Sequence, residues 1–159
     1  MGVEERLEAL EKRLQAAEDE LAIVRLLNSY GPMIDSGESE SAAHLWIEGG
    51  TYDVGGYHTL VSPDQMVTVW SSADMQAMIN AGSAHLTASP QVKVKGDTAE
   101  ALAYAFVMLK EGDRWYLWRA SVNHWTFVRT TEGWRIKERY NRALDGSDES
   151  HAALRRMLP

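Results

Sequence analysis

A chain of 159 residues, 45% of them hydrophobic, fits one domain with a single core of ordinary size and is too apolar to be disordered. Its 23 acidic against 16 basic residues give a net charge of −7, which disfavours nucleic acid and anionic membranes as partners and leaves room for a small neutral or organic ligand. The absence of cysteine excludes disulfides, thiolate metal sites and cysteine nucleophiles; the charged start (Met1, Gly2, Val3, Glu4, Glu5) and the lack of any run of about 18 apolar residues make a cytoplasmic location the expectation.

In chain order, Val3, Leu7, Leu10, Leu14, Ala17, Leu21 and Val24 recur at alternating spacings of four and three, a heptad stripe that predicts a long first helix. Arg6 with Glu11, Arg13 with Glu18 and Glu20 with Arg25 are the opposite-charge pairs expected between parallel helices of two or more chains, so a homo-oligomer joined through this arm is one reading. The other is a stripe that lies on the protein's own sheet. After Val24 the stripe moves to Ile23, Leu26, Leu27, Tyr30 and Ile34, which predicts a second helical segment, and Gly31-Pro32 predicts a kink. A short helix over Ser39–Trp46, a stop at Gly49-Gly50, a strand over Thr51–Val54 and a turn at Gly55-Gly56 follow. Ser62 as N-cap and Pro63 at the first position open a Met-rich helix to about Asn80, whose methionines read as core filler.

Gln91–Lys95 alternates apolar and charged residues, the pattern of a half-buried strand. Thr98–Leu109 is mostly apolar and reads as a strand buried on both faces; Trp115–Arg129 and Trp134–Tyr140 follow, separated by Gly-containing turns. Together they predict a four-stranded antiparallel meander. The stretch after Asp145 reads as loop, with a short helix over His151–Leu158. The expected organisation is an arm over residues 1–20, one domain over 21–145 and a tail over 146–159.

Signatures of serine hydrolases, zincins and nucleotide binders are absent, and His44, His58, His85, His124 and His151 are scattered rather than clustered as metal ligands. What remains is His85 at the mouth of a sheet and Asp35 at the end of a core-facing helix. A histidine oriented by a buried carboxylate is a general base that needs no cofactor. Each residue also has a purely structural reading. Tyr30, five residues before Asp35, lies about 140° from it on an ideal helix, so only a change of helix geometry would bring the two together. Alternation puts His124 with Val122 and Thr126 on one face of its strand and Asn123, Trp125 and Phe127 on the other, with the concave face undecided. Tyr52, Tyr57 and His58, which flank the Gly-Gly turn, and Tyr104 are further candidates for lining a ligand pocket.

The order Tyr30-x4-Asp35-Ser-Gly-Glu, His85-Leu-Thr, Val94-Lys-Gly-Asp-Thr-Ala99 and Arg129-Thr-Thr-Glu-Gly-Trp-Arg-Ile136 resembles the SnoaL-like branch of the nuclear-transport-factor-two-like superfamily, over about Leu21 to Asp145. Within it the chain is similar to scytalone dehydratase, bile acid 7α-dehydratase and hexachlorocyclohexane dehydrochlorinase. The resemblance implies an α+β cone, a curved, mainly antiparallel sheet wrapped by helices around an apolar pocket, usually in a dimer or trimer. It also implies His85 as general base, Asp35 as its orienting partner and Tyr30 as hydrogen-bond donor, with water or halide expelled and no cofactor. Two departures stand out: the acidic residue of the bile acid enzyme is replaced by Val107, and the second histidine of scytalone dehydratase falls near Ala120.

Three functions follow as expectations. The first is a cofactor-independent lyase or isomerase acting on a hydrophobic cyclic or polycyclic molecule. The second is a non-catalytic binder of apolar ligands, suggested by Val107. The third is an assembly subunit like the small subunits of ring-hydroxylating dioxygenases, for which a filled cone is expected.

Overall fold

The computed structural model describes residues 2–55 and 57–158. The first helix, α1, runs unbroken over Val3–Asp35, about 50 Å at 1.5 Å per residue. The change of stripe near Val24 is therefore a change of partner along one helix. Every described residue before Asp19 is exposed, whereas Ile23, Leu27, Tyr30 and Ile34 are buried in the core. Nor does Gly31-Pro32 end the helix: Pro32 stands in its last turn, and its carbonyl still accepts from the Ser36 N–H.

α2 covers Ser39–Ala43, and Trp46, expected to end that helix, instead begins strand β1, Trp46–Val54. Gly49, at φ +70°, sits in an irregularity that shifts the register of β1 between Trp46 and Thr51, so the Gly-Gly pair bends a strand where a stop was expected. The turn expected at Gly55-Gly56 lies partly outside the described residues, at Gly56. β2 is His58–Leu60. The single Met-rich helix is two, α3 (Pro63–Trp70) and α4 (Ala73–Gly82), because the Ser72 side chain accepts from the Met75 N–H and caps a new start.

Five strands follow: β3 (Ser83–Thr87), β4 (Gln91–Lys95), β5 (Thr98–Glu111), β6 (Arg114–Thr130) and β7 (Gly133–Ala143). They join β1 and β2 in a seven-stranded sheet of order β2-β1-β7-β6-β5-β3, with β4 also paired to β5. β4 to β7 form the antiparallel meander expected, and β1 pairs parallel to β7. β5 departs from expectation in being buried on one face only. Ala99, Ala101 and Ala103 point into the core that holds Ile23 and Leu27, while Glu100 and Tyr104 face outwards. Short side chains on the inner face leave space inside the curve of the sheet. The C-terminal tail is more ordered than expected: Ser147 caps α5 (Asp148–Leu154), a 3-10 turn follows over Arg155–Met157, and Ala153 and Met157 are buried. Among the described residues no helix is long and apolar enough to cross a membrane.

Candidate active site

α1 ends on Asp35, and the strand that passes beside it is β3. The two approach closely because residue 31 is glycine: a Cβ there would overlap the His85 carbonyl oxygen. At this separation Asp35 Oδ2 accepts the His85 backbone N–H at 2.6 Å, and Oδ1 accepts the Ser83 hydroxyl at 2.6 Å. Asp35 Oδ1 also lies 2.7 Å from His85 Nδ1. Burial alone would raise the Asp35 carboxyl, but the hydrogen bonds from the His85 ring, Ser83 and the His85 backbone together hold it below the usual carboxylate range. An ionised Asp35 can only accept, so Nδ1 carries the proton. In neutral His85 the other ring nitrogen, Nε2, is then a bare base, and it has no protein partner among the described residues.

His85 forms part of the wall of a cavity of about 210 Å³ lined by β1, α3, α4 and the inner face of the sheet. Tyr30, Tyr52, Trp70, Met75, Met78 and Val107 supply much of the rest. Asp35 stands behind His85, outside the wall. Tyr30 and Asp35 thus leave α1 in different directions: Tyr30 reaches the cavity directly, and Asp35 reaches only the Nδ1 side of the histidine. The Tyr30 hydroxyl, pushed up to about 12 by burial, stays protonated and can donate. Its ring packs edge-on against Trp46 and Trp70, with centroids 6.0 and 5.8 Å away. Of the methionines, Met66 is core filler, while Met75 and Met78 line the cavity.

Four residues expected near the ligand lie elsewhere. His124 is on the outer face, with Nε2 3.2 Å from Glu100, because alternation along β6 turns Asn123, Trp125 and Phe127 inwards. Tyr104 shares that outer face and is 48% exposed. Tyr57 is 85% exposed and, like His58, lies outside the cavity. No group of three or more His, Cys, Asp or Glu side chains that could hold a metal occurs among the described residues.

Further polar groups in the wall come from residues that sequence reasoning passed over: Arg119 and Ser121 on β6, and Arg139 and Asn141 on β7. Lys137 is an extra residue in the pairing of β7 with β6, which runs Phe127 to Ile136 and then Thr126 to Glu138. Simple alternation from Trp134 and Ile136 would send Glu138 and Tyr140 inwards; the bulge sends Arg139 and Asn141 instead. The Arg139 guanidinium lies 4.6 Å from the Tyr30 ring and 4.3 Å from the Tyr52 ring, and its Nε donates to Asn123 Oδ1 at 2.8 Å.

A SnoaL-like domain model matches residues 15–151. The chain belongs to the SnoaL-like family. A crystal structure of an NTF2-like protein with a cystatin-like fold from Novosphingobium aromaticivorans is 36% identical, covers 93% of this chain and 96% of its own, and superposes with a TM-score of 0.90. Two Streptomyces proteins share the fold at lower identity. Aln2 is 16% identical with a TM-score of 0.71, covering 79% of this chain and 90% of its own. A candidate dehydratase of the NTF2-like family from Streptomyces avermitilis is 14% identical with a TM-score of 0.67, covering 82% of this chain and 99% of its own. No curated protein matches the chain. As a SnoaL-like protein it has the cone expected of the family, hollow at the histidine.

Proposed function

We propose that this SnoaL-like chain is a cofactor-independent lyase, dehydratase-like, or isomerase for a hydrophobic cyclic small molecule. The observation that carries this reading is the 2.7 Å contact of Asp35 with His85 Nδ1, which leaves Nε2 at the wall of a largely apolar cavity. His85 Nε2 takes a proton from a carbon next to a carbonyl, and Asp35 stabilises the imidazolium that forms. Tyr30 donates a hydrogen bond to the oxygen on which negative charge develops. In a lyase the imidazolium passes that proton to the β-hydroxyl, which leaves as water as the C–O bond breaks; in an isomerase the imidazolium returns the proton to another carbon. An engineered apolar cavity of about 150 Å³ holds a benzene, so 210 Å³ suits one or two small rings better than a larger polycycle.

Hydroxylated cyclic ketones incubated in D2O provide the test, since both reactions exchange or expel the α-proton. Replacing His85 by Ala should lower exchange and turnover by about 10² to 10⁴-fold, read by NMR and mass spectrometry. Turnover unchanged in that variant would sink the assignment. Val107 in the wall, where the bile acid enzyme has an acid, favours the second reading, a non-catalytic binder. That reading predicts saturable binding, indifferent to His85, with no exchange at all. The same proposal has the chain act as a homo-oligomer through its arm, supported by a heptad stripe that stays exposed.

A further inference from the structure

We propose that Arg119, held by Asn141, seats an anionic group of the carboxylate class on the ligand that occupies the His85 cavity. The word substrate would rest on the lyase reading; the binding site stands without it.

The first argument is charge. Arg129 is paired with Asp19 and Asp97, Arg135 with Glu132, and Arg142 with Asp53 and Glu149. Arg119 has no carboxylate partner among the described residues; its Nη2 donates to the neutral Asn141 Oδ1 at 2.7 Å. In a chain with 23 acidic residues against 16 basic ones, an arginine left without an acid in a cavity wall is a departure from the pattern of its neighbours. Arg139, also in the wall, has Asn123 as its hydrogen-bond acceptor, so the cavity carries two guanidinium charges against the one Asp35 carboxylate behind His85.

The second argument is the direction of the hydrogen bonds. Asn141 Oδ1 accepts from Arg119, while Asn141 Nδ2, at 3.0 Å, and Arg139 Nε, at 2.8 Å, both donate to Asn123 Oδ1. These bonds fix both amide orientations. Both amide oxygens are thus engaged, and a donor is left over behind the wall: Asn123 Nδ2 is buried with no hydrogen-bond partner among the described residues. Such a wall complements a ligand that brings acceptors and negative charge, and the planar guanidinium fits a carboxylate through two parallel bonds.

The third argument is spacing. His85 pairs with Val107, and Val107 with Arg119, in one row across β3, β5 and β6. Two strand spacings of about 4.8 Å put the backbone positions of base and cation about 10 Å apart. A single ring system with an acid substituent spans the gap between their side chains.

The test compares naphthoate with the matching naphthamide by titration calorimetry on the intact protein. Naphthoate should bind about tenfold tighter or more. Arg119→Gln should bring the two affinities together by weakening naphthoate alone. Asn141→Asp, which gives Arg119 an internal carboxylate, should do the same and covers the case in which the first variant does not fold. His85→Asn should leave the acid preference in place. Equal affinities in the wild type, no binding of either compound, or a preference that survives both Arg119→Gln and Asn141→Asp would overturn the proposal. The lyase reading fails separately: exchange that persists in His85→Ala removes it and leaves the acid preference standing.

Discussion

Asp19 is 5% exposed and accepts from Arg129 Nη1 and Nη2 at 2.8 and 2.7 Å and from Trp134 Nε1 at 3.1 Å. The Arg129 hydrogen bonds, outweighing the opposing effect of burial, lower its pKa to about 2, helped by Trp134 and Gln15. Against an unfolded value of about 3.9, this lowering contributes on the order of 2–3 kcal/mol at neutral pH. Because the folded value is the lower one, the contribution is complete above about pH 5 and disappears as the pH falls through 4 towards 2. Asp19→Asn should therefore melt several degrees below the wild type at pH 7, with the gap closing in acid. Thermal melts at pH 7, 4 and 2.5 would show it, and a gap that does not change with pH would refute the assignment. Asp35 and His85 illustrate the other use of a lowered carboxylate: the hydrogen bonds that fix the strand also fix the tautomer of the base.

Gly31 decides how closely α1 meets β3. Alanine is worth about 1 kcal/mol more than glycine in a helix interior, so on propensity alone Gly31→Ala should stabilise. Here the added methyl overlaps the His85 carbonyl oxygen and lies 3.1 Å from its carbon. Overpacking against backbone costs about 1–3 kcal/mol and would outweigh the propensity gain. Separating helix from strand would also part Asp35 from His85, and misplacement by about 1 Å can cost 10²-fold in rate. Gly31→Ala should thus lose both melting temperature and turnover; a variant more stable than wild type with full activity would show that the contact is relaxed without consequence. At this scale the meander was readable because each turn is marked by glycine and each strand by aromatic or β-branched residues. The bulge at Lys137 was not, since nothing in Arg135-Ile136-Lys137-Glu138-Arg139 marks which residue is extra.

At the scale of the whole molecule, the apolar stripe of the arm is left exposed by the chain's own fold. Val3, Leu7, Leu10, Leu14 and Leu21 are 47 to 74% exposed, and most of a helix's stability in a protein comes from packing its apolar face. A second copy packed in parallel would bury the stripe and bring Arg6 and Arg13 of one chain to Glu11 and Glu18 of the other. Each leucine so buried is worth about 1.5–3 kcal/mol. Leu10→Lys should shift the chain towards monomer by at least about tenfold in dissociation constant, seen by sedimentation, with ligand affinity in the cavity unchanged. An unaltered mass in the variant, or a monomeric wild type, would remove the arm from assembly.

Periodicity, turn residues and motif order were enough to define the class of fold, the long helix, the meander and the Asp35–His85 candidates, because those depend on neighbours along the chain. Which face of each strand turned inwards was decided by tertiary structure. The curve of the sheet placed His124 and Tyr104 outside, and bulges at single residues reversed the phase that alternation assumes. The cavity, with two arginines that have no carboxylate partner among the described residues, exists only because β1, β3, β5, β6 and β7, together with α1, α3 and α4, converge on it. Side chains far apart in sequence have no local signal of a shared wall; only the packed backbone brings them there.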